Sequence, residues 1–257
     1  MPDILVTARD HVGVVSLNRP EVRNAVTLSM WRELASIFSN LARDGDIRAI
    51  VLTGSGSDFC VGADVSEFDT LRENKDQSAE YEIAVDNCSA AIANVSKPVI
   101  AAISGYCLGG GCHLALACDF RLADHSAKLG IPSAKLSIVY GVKSVQRLLA
   151  ITGLANAKRM LYSGERYDAP RAHAMGLVDG ISDNALSAAL DYAGTLANNA
   201  PLSIAGAKFM LNNLSMGDGA LDTAAAQRMI DQAADSDDFR EGRRAFVEKR
   251  APRFSGR

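Results

Sequence analysis

The chain has 257 residues, 48% of them hydrophobic and 22% charged, with a formal net charge of −3. That length suits one large domain or a core with an appendage. The charge leaves no electrostatic footprint for nucleic acid, and no apolar run approaches the roughly 20 residues needed to cross a bilayer, so no membrane partner is expected.

Asp3 and Arg9 interrupt any signal-peptide pattern at the N-terminus. Five cysteines, an odd number without Cys-x-x-Cys spacing, argue against a disulfide framework or a zinc site. The expectation is a cytoplasmic, reduced, metal-free protein. In chain order, Val14 to Leu17 read as a strand. Apolar residues then recur with a helical period over 28–41, at Trp31, Leu34, Ile37, Phe38 and Leu41. Thr27 or Ser29 can cap this helix, and Gly45 lies past its end. A strand follows at 49–53. Residues 66–80 are polar, with Leu71 nearly alone, and read as a mobile loop or loose helix. Residues 81–95 look helical, Pro98 opens the next strand, Phe120 to Ala123 form another and Leu129 to Ile131 a short one.

From about Val142 the pattern is nearly all helix. Short helices are expected at 156–161 and 169–175, and an Ala- and Leu-rich helix at 184–198. This last helix suits either the core or a subunit contact. A new helix starts at Pro201, and 218–234 and 237–250 are amphipathic. The basic residues Arg240, Arg243, Arg244, Lys249 and Arg250 are mixed with Glu241 and Glu248, as on a solvated helix face. Strands early and helices late predict an α/β protein: a parallel spiral of repeated strand–strand–helix units over 1–200, with a helical C-terminal region over 201–257.

Two strand–glycine units carry the chemistry. In residues 97–119 an apolar run (Val99, Ile100, Ile103) meets Gly109-Gly110-Gly111 and enters a helix-like stretch from Cys112 to Cys118. Glycines at a helix mouth leave N–H groups free and let a ligand approach them, and the helix dipole adds positive potential. Such a site favours an anion, or an oxygen that becomes one. In residues 48–64 the strand Ile50-Val51-Leu52 again runs into glycines and a turn. One such segment alone needs its glycines only for a tight turn. Two together can bring one N–H from each unit to a point, making an oxyanion hole.

With these residues the chain resembles the enoyl-CoA hydratase/isomerase, or crotonase, superfamily. The resemblance rests on Gly54 to Asp64 (Gly-x-Gly-x-x-Phe-Cys-x-Gly-Ala-Asp) and Gly105 to Cys112 (Gly-Tyr-x-Leu-Gly-Gly-Gly-Cys). Asn18-Arg19-Pro20, Arg23-Asn24-Ala25, Gln146-Arg147-Leu148, Met175-Gly176-Leu177-Val178 and Phe246 to Arg250 are similar to further landmarks, in order. The resemblance implies a crotonase-like ββα spiral and oxyanion-hole amides at Ala63 and Gly110. It implies coenzyme A contacts at Asp64 and Val65 (adenine) and at Arg23 and Ala25 (phosphates and pantetheine). Phe246 and Lys249 match positions that reach a neighbouring subunit's coenzyme A. It also implies an acyl-CoA thioester substrate, no cofactor beyond the coenzyme A of that substrate, an acyl pocket bordered by 66–80, and a homotrimer or dimer of trimers with 201–257 as the trimerisation region.

The acid–base positions depart from the family. Its hydratases carry one glutamate just after the Gly-Gly-Gly-Cys run, where this chain has His113, and another in a Pro-Glu pair, where this chain has Pro132-Ser133. Adding water to a conjugated double bond needs one group to activate water and one to handle the second proton. Histidine can serve as a base near neutral pH; an unassisted serine is a poor acid or base. Ordinary hydration is therefore not expected. Proton transfer by His113 alone is the leading reading. One alternative is decarboxylation with Tyr140, which sits where some family decarboxylases orient the substrate carboxylate, although Ala63 replaces their histidine. The other is a non-catalytic acyl-CoA-binding protein. No acidic residue lies between Leu136 and Ser144, where family isomerases often place their acid.

Overall fold

A computed structural model describes residues 1–216 and 221–257. β1 (Ile4–Arg9) and β2 (Val12–Leu17) form an antiparallel hairpin. Its two-residue turn, Asp10-His11, has φ of 50° and 67°, the left-handed pair that a type I′ turn requires. α1 (Leu28–Arg43) follows, capped by the Thr27 side chain on the Met30 amide. β3 (Ala49–Gly54) then pairs parallel to β2, and β4 (Val99–Ile103) parallel to β3.

Between β3 and β4 lie a 3-10 turn at Val65–Glu67, α2 (Phe68–Leu71) and α3 (Lys75–Asn94). The segment 66–80, expected to be a mobile loop or loose helix, is thus helical for most of its length. The Asn74 side chain accepts from the Asp76 and Gln77 amides and starts α3 six residues earlier than the apolar residues suggest.

The chain continues through β5 (Tyr106–Leu108), α4 (Gly110–Ala117), β6 (Phe120–Asp124) and β7 (Lys128–Gly130). α5 (Val142–Ser163) is next; what reads as a short helix at 156–161 is its second half, past a break at Gly153 (φ 73°). β8 (Tyr167–Asp168), α6 (Ala169–Ala174), β9 (Gly180–Ser182) and α7 (Ala185–Ala197) complete the body. The larger sheet has the order β1-β2-β3-β4-β6-β9 and is parallel from β2 onward. A second sheet holds β5-β7-β8. β4 and β5 before α4, and β6 and β7 before α5, each place one strand in the larger sheet and the next in the smaller, giving the expected spiral of strand–strand–helix units in the middle of the chain.

β3 and β4 are buried along almost their whole length, as strands covered on both faces must be. One face packs against Trp31, Leu34 and Phe38 of α1 and Ile92 of α3. The other receives α7, whose Ala185, Ala189, Ala193 and Ala197 lie four apart on one stripe. They pack on Val12, Ala49, Val51, Ile100 and Ala102. Of the two roles left open for 184–198, the core role is the one observed.

α8 (Pro201–Met216) leaves this body, tied to it by Lys208, whose Nζ lies 2.7 Å from Asp119 and donates to the Lys97 carbonyl. α9 (Thr223–Ala234) and α10 (Asp237–Glu248) follow. The expected helix at 218–234 is observed from Thr223; its residues 218–220 lie outside the described ones. The C-terminal tail folds back on α10, where Asp238 accepts from the Ser255 and Gly256 amides. Among the described residues no helix is long and apolar enough to cross a membrane.

Candidate active site

The first glycine unit is fixed by Asn24, whose Nδ2 donates to the Ser55 and Asp58 carbonyls. Gly54 is compulsory there: a Cβ would lie 2.2 Å from the Asp58 oxygen. The chain then pairs Val26 with Ala63. The Val26 amide donates to the Gly62 carbonyl at 2.8 Å and the Asp64 amide to the Val26 carbonyl at 2.9 Å. This register leaves the Ala63 N–H between them without an acceptor among the described residues.

The second unit is joined to the first by a backbone bridge between Cys60 and Cys107. Gly109, with φ of 51°, turns the chain out of β5, and Gly110 begins α4. As a first-turn helical residue, Gly110 has an N–H with no partner in the helix, and it finds none elsewhere among the described residues. A Cβ on Gly111 would strike the Cys60 carbonyl oxygen at 2.2 Å, so the triplet allows the close packing of the two units. A Cβ on Gly110 would lie 3.2 Å from the Ala63 nitrogen. Since a Cβ sits about 2.5 Å from its own nitrogen, the Ala63 and Gly110 nitrogens are within about 6 Å of each other.

Both residues line one cavity of about 130 Å³, together with His113, Ser133 and Tyr140. His113 is 3% exposed. Its Nδ1 contacts the Ser144 Oγ, and its Nε2 has no hydrogen-bond partner. The rings of Trp31 and Tyr140 stand edge-on to it at 6.4 and 6.2 Å. Burial, and secondarily the Arg147 charge, push its pKa down to about 3; the nearby Val85 carbonyl opposes this without closing a hydrogen bond to Nε2. The ring is therefore neutral at pH 7. Ser133 is buried at the head of a 3-10 turn, with its hydroxyl unbonded among the described residues. The Tyr140 hydroxyl donates to the Gly109 carbonyl at 3.1 Å, and burial holds its phenol well above the usual range.

The residues matched to coenzyme A contacts are more scattered. Val65 is exposed and lines the cavity. Asp64 accepts from the Ser66 hydroxyl and amide and pairs with Arg19 at 2.8 Å, which together hold its carboxyl below the usual range. Arg23 is on the surface, its guanidinium 4.9 Å over the Tyr106 ring, and Ala25 is buried. Phe246 and Lys249 lie at the end of α10 and do not line the cavity of their own chain.

Sequence reasoning missed Arg72, Glu82 and Ser144, which also line the cavity. Arg72 sits in the polar stretch 66–80, which lacks an apolar period, and Glu82 in the helical stretch just after it, so no pattern singled them out. Ser144 stands two residues before the Gln146 landmark. A larger cleft of about 620 Å³ lies between the body and α8, around the Lys208–Asp119 pair; Ala63 and Gly110 do not line it.

Two unbonded amides, one from a strand–turn and one from a helix N-terminus, line one cavity in a two-sheet spiral, an arrangement that can accept an oxygen gaining negative charge. The family model described as enoyl-CoA hydratase/isomerase matches residues 7–257. The 2,3-dehydroadipyl-CoA hydratase of Escherichia coli is 35% identical over 261 residues, covering 100% of both chains. Among solved structures, an enoyl-CoA hydratase/carnithine racemase from Magnetospirillum magneticum superposes with a TM-score of 0.94 at 34% identity, covering 100% of this chain and 97% of the other. The enoyl-CoA hydratase from Bacillus anthracis superposes with a TM-score of 0.90 at 33% identity over the whole of both chains. The chain belongs to the enoyl-CoA hydratase/isomerase (crotonase) superfamily.

Proposed function

We propose that this chain is an enzyme that binds an acyl-CoA thioester and stabilises its enolate, in hydratase- or isomerase-like proton-transfer chemistry. The observation that carries this reading is the pair of unbonded amides, Ala63 N–H and Gly110 N–H, on one cavity wall. A thioester oxygen accepting from both gains most when it becomes an enolate, because the donors are fixed before the charge appears. Gly110 adds the positive end of α4. The 130 Å³ cavity is worth about four waters, which favours a short acyl group. Coenzyme A enters as part of the substrate, and no separate cofactor takes part.

Phe246 and Val247 are 86% and 80% exposed at the end of α10. This suits an assembly of three chains, or two such trimers, in which Phe246 and Lys249 meet a neighbour's coenzyme A.

The test is calorimetric binding of butanoyl-CoA beside turnover of but-2-enoyl-CoA and but-3-enoyl-CoA. Binding with turnover supports the reading. Binding without turnover supports a non-catalytic acyl-CoA-binding protein, which the burial of His113 and the absence of both family glutamates favour as the second reading. No binding overturns both.

A further inference from the structure

Among the described residues that line the cavity one carries a carboxylate, and it comes from α3 rather than from α4 or the Ser133 turn. Glu82 lines the cavity with Gly110, His113 and Ser133. Arg72 holds it at one oxygen only: the guanidinium donates to Oε1 at 2.8 Å. Arg72 is itself positioned over the rings of Phe68 and Tyr81, at 4.9 and 5.1 Å. The other oxygen, Oε2, takes no hydrogen bond among the described residues. It lies near the Gly141 backbone, where a Cβ would stand 3.8 Å from the Ser144 Oγ and 3.9 Å from both Glu82 Oε2 and the Oδ1 of Asp86, which does not itself line the cavity. An anchored Oε1 and a free Oε2 form the arrangement of a positioned acid–base group. His113, by contrast, is held at Nδ1 by Ser144, and burial makes its ring a weak base, with a pKa of about 3. Partial burial, joined by the charge of Asp86 one turn along α3, raises the Glu82 pKa against the opposing charge of Arg72.

Resting on the acyl-CoA reading above, we propose that Glu82 is the acid–base residue of this site, moving a proton between C2 and C4 of a short enoyl-CoA. The Glu82 carboxylate takes a proton from C2 of a but-3-enoyl thioester. The C–H electron pair passes into the C2–C1 bond, and the thioester oxygen becomes an enolate held by Ala63 and Gly110. The carboxylic acid then returns the proton to C4, the double bond shifts to C2–C3, and the carbonyl re-forms. Nothing is oxidised or reduced, and Glu82 ends as it began.

The test separates proton abstraction from binding. Butanoyl-CoA is incubated with the protein in D₂O, exchange at C2 is followed by NMR, and binding is measured by calorimetry on the same samples. The expected result is exchange by the unmodified protein, lowered at least 100-fold in Glu82→Gln, with the dissociation constant within a few-fold of wild type. Glu82→Asp, which keeps the charge but retracts it by one methylene, recovers part of the loss. Exchange that survives Glu82→Gln overturns the assignment, as does binding without any exchange by the unmodified protein. Failure of the unmodified protein to bind overturns the acyl-CoA reading and this assignment with it.

Discussion

Ala63 and Gly110 meet so closely that a single methyl group on Gly110 would stand 3.2 Å from the Ala63 nitrogen and 3.1 Å from Trp31 Cζ2. The space between the two amides is thus only as large as a missing side chain allows. Gly110→Ala keeps both N–H groups and suits the first turn of a helix, so its effect isolates the geometry of the pair. Turnover should fall by about 10²–10³, equivalent to about 2.7–4 kcal/mol of lost transition-state stabilisation. Gly194→Ala, whose Cβ meets nothing within 4 Å, should retain turnover. Steady-state kinetics of both variants check this, and full activity in Gly110→Ala would dismiss the paired-amide account.

His113 makes stability depend on acid. The folded chain holds the ring neutral, with its pKa lowered to about 3, whereas the unfolded chain takes up a proton as pH falls through about 6.5. Unfolding therefore binds a proton in this window. The contribution is fully present above pH 6.5 and is lost as pH drops toward 3, at up to about 1.4 kcal/mol per pH unit. His113→Gln should flatten this dependence. Urea unfolding of both proteins at pH 7, 5.5 and 4.5 measures it; curves that stay parallel would show that the ring is not held neutral by the fold.

The assembly proposal has a direct readout. Light scattering at micromolar concentration should give three or six times the chain mass of 27.2 kDa. Because Phe246 is exposed in the single chain, Phe246→Glu should leave the chain folded while weakening coenzyme A ester binding or the association itself. A monomer at those concentrations contradicts the proposal.

What was legible in the sequence was what steric exclusion dictates. Gly54, Gly62 and Gly111 have no room for a Cβ, with backbone atoms at 2.2–2.9 Å from where it would sit. Glycine spacing therefore showed that two tightly packed strand–glycine units exist, while the choice of Ala63 and Gly110 within them came from the family resemblance. The Ala-rich stretch 184–198 was legible as a helix, but alanine suits a core and a subunit contact equally; packing against Val51 and Ile100 decides between them. The stretch 66–80 was not legible as mostly helix. Its inner positions include Arg72, which turns toward the cavity rather than the core, so the apolar period fails where the site begins. Glu82, two residues past that stretch, escaped notice because 81–95 reads as an ordinary helix in which no single carboxylate stands out.

Ser133 offers the sharpest test of how far the site is from a hydratase. Its hydroxyl is unbonded among the described residues and borders the same cavity as the amide pair that would hold the thioester. Hydration needs a base at C3 to take a proton from water, and neither an unassisted serine nor a histidine with pKa near 3 provides one. Ser133→Glu places a carboxylate at the head of a 3-10 turn, where free amides favour a negative charge. Hydration of but-2-enoyl-CoA, followed by loss of the enoyl absorbance, should rise at least 10-fold; a well-placed acid–base group contributes up to about 10²–10⁴. The longer side chain also narrows a cavity of only 130 Å³, so KM should rise with kcat. Ser133→Gln has the same bulk without the charge and should show the higher KM with no gain in kcat. Equal rates in the Glu and Gln variants would mean that the carboxylate does not reach C3 and that the missing glutamate is not what limits hydration here.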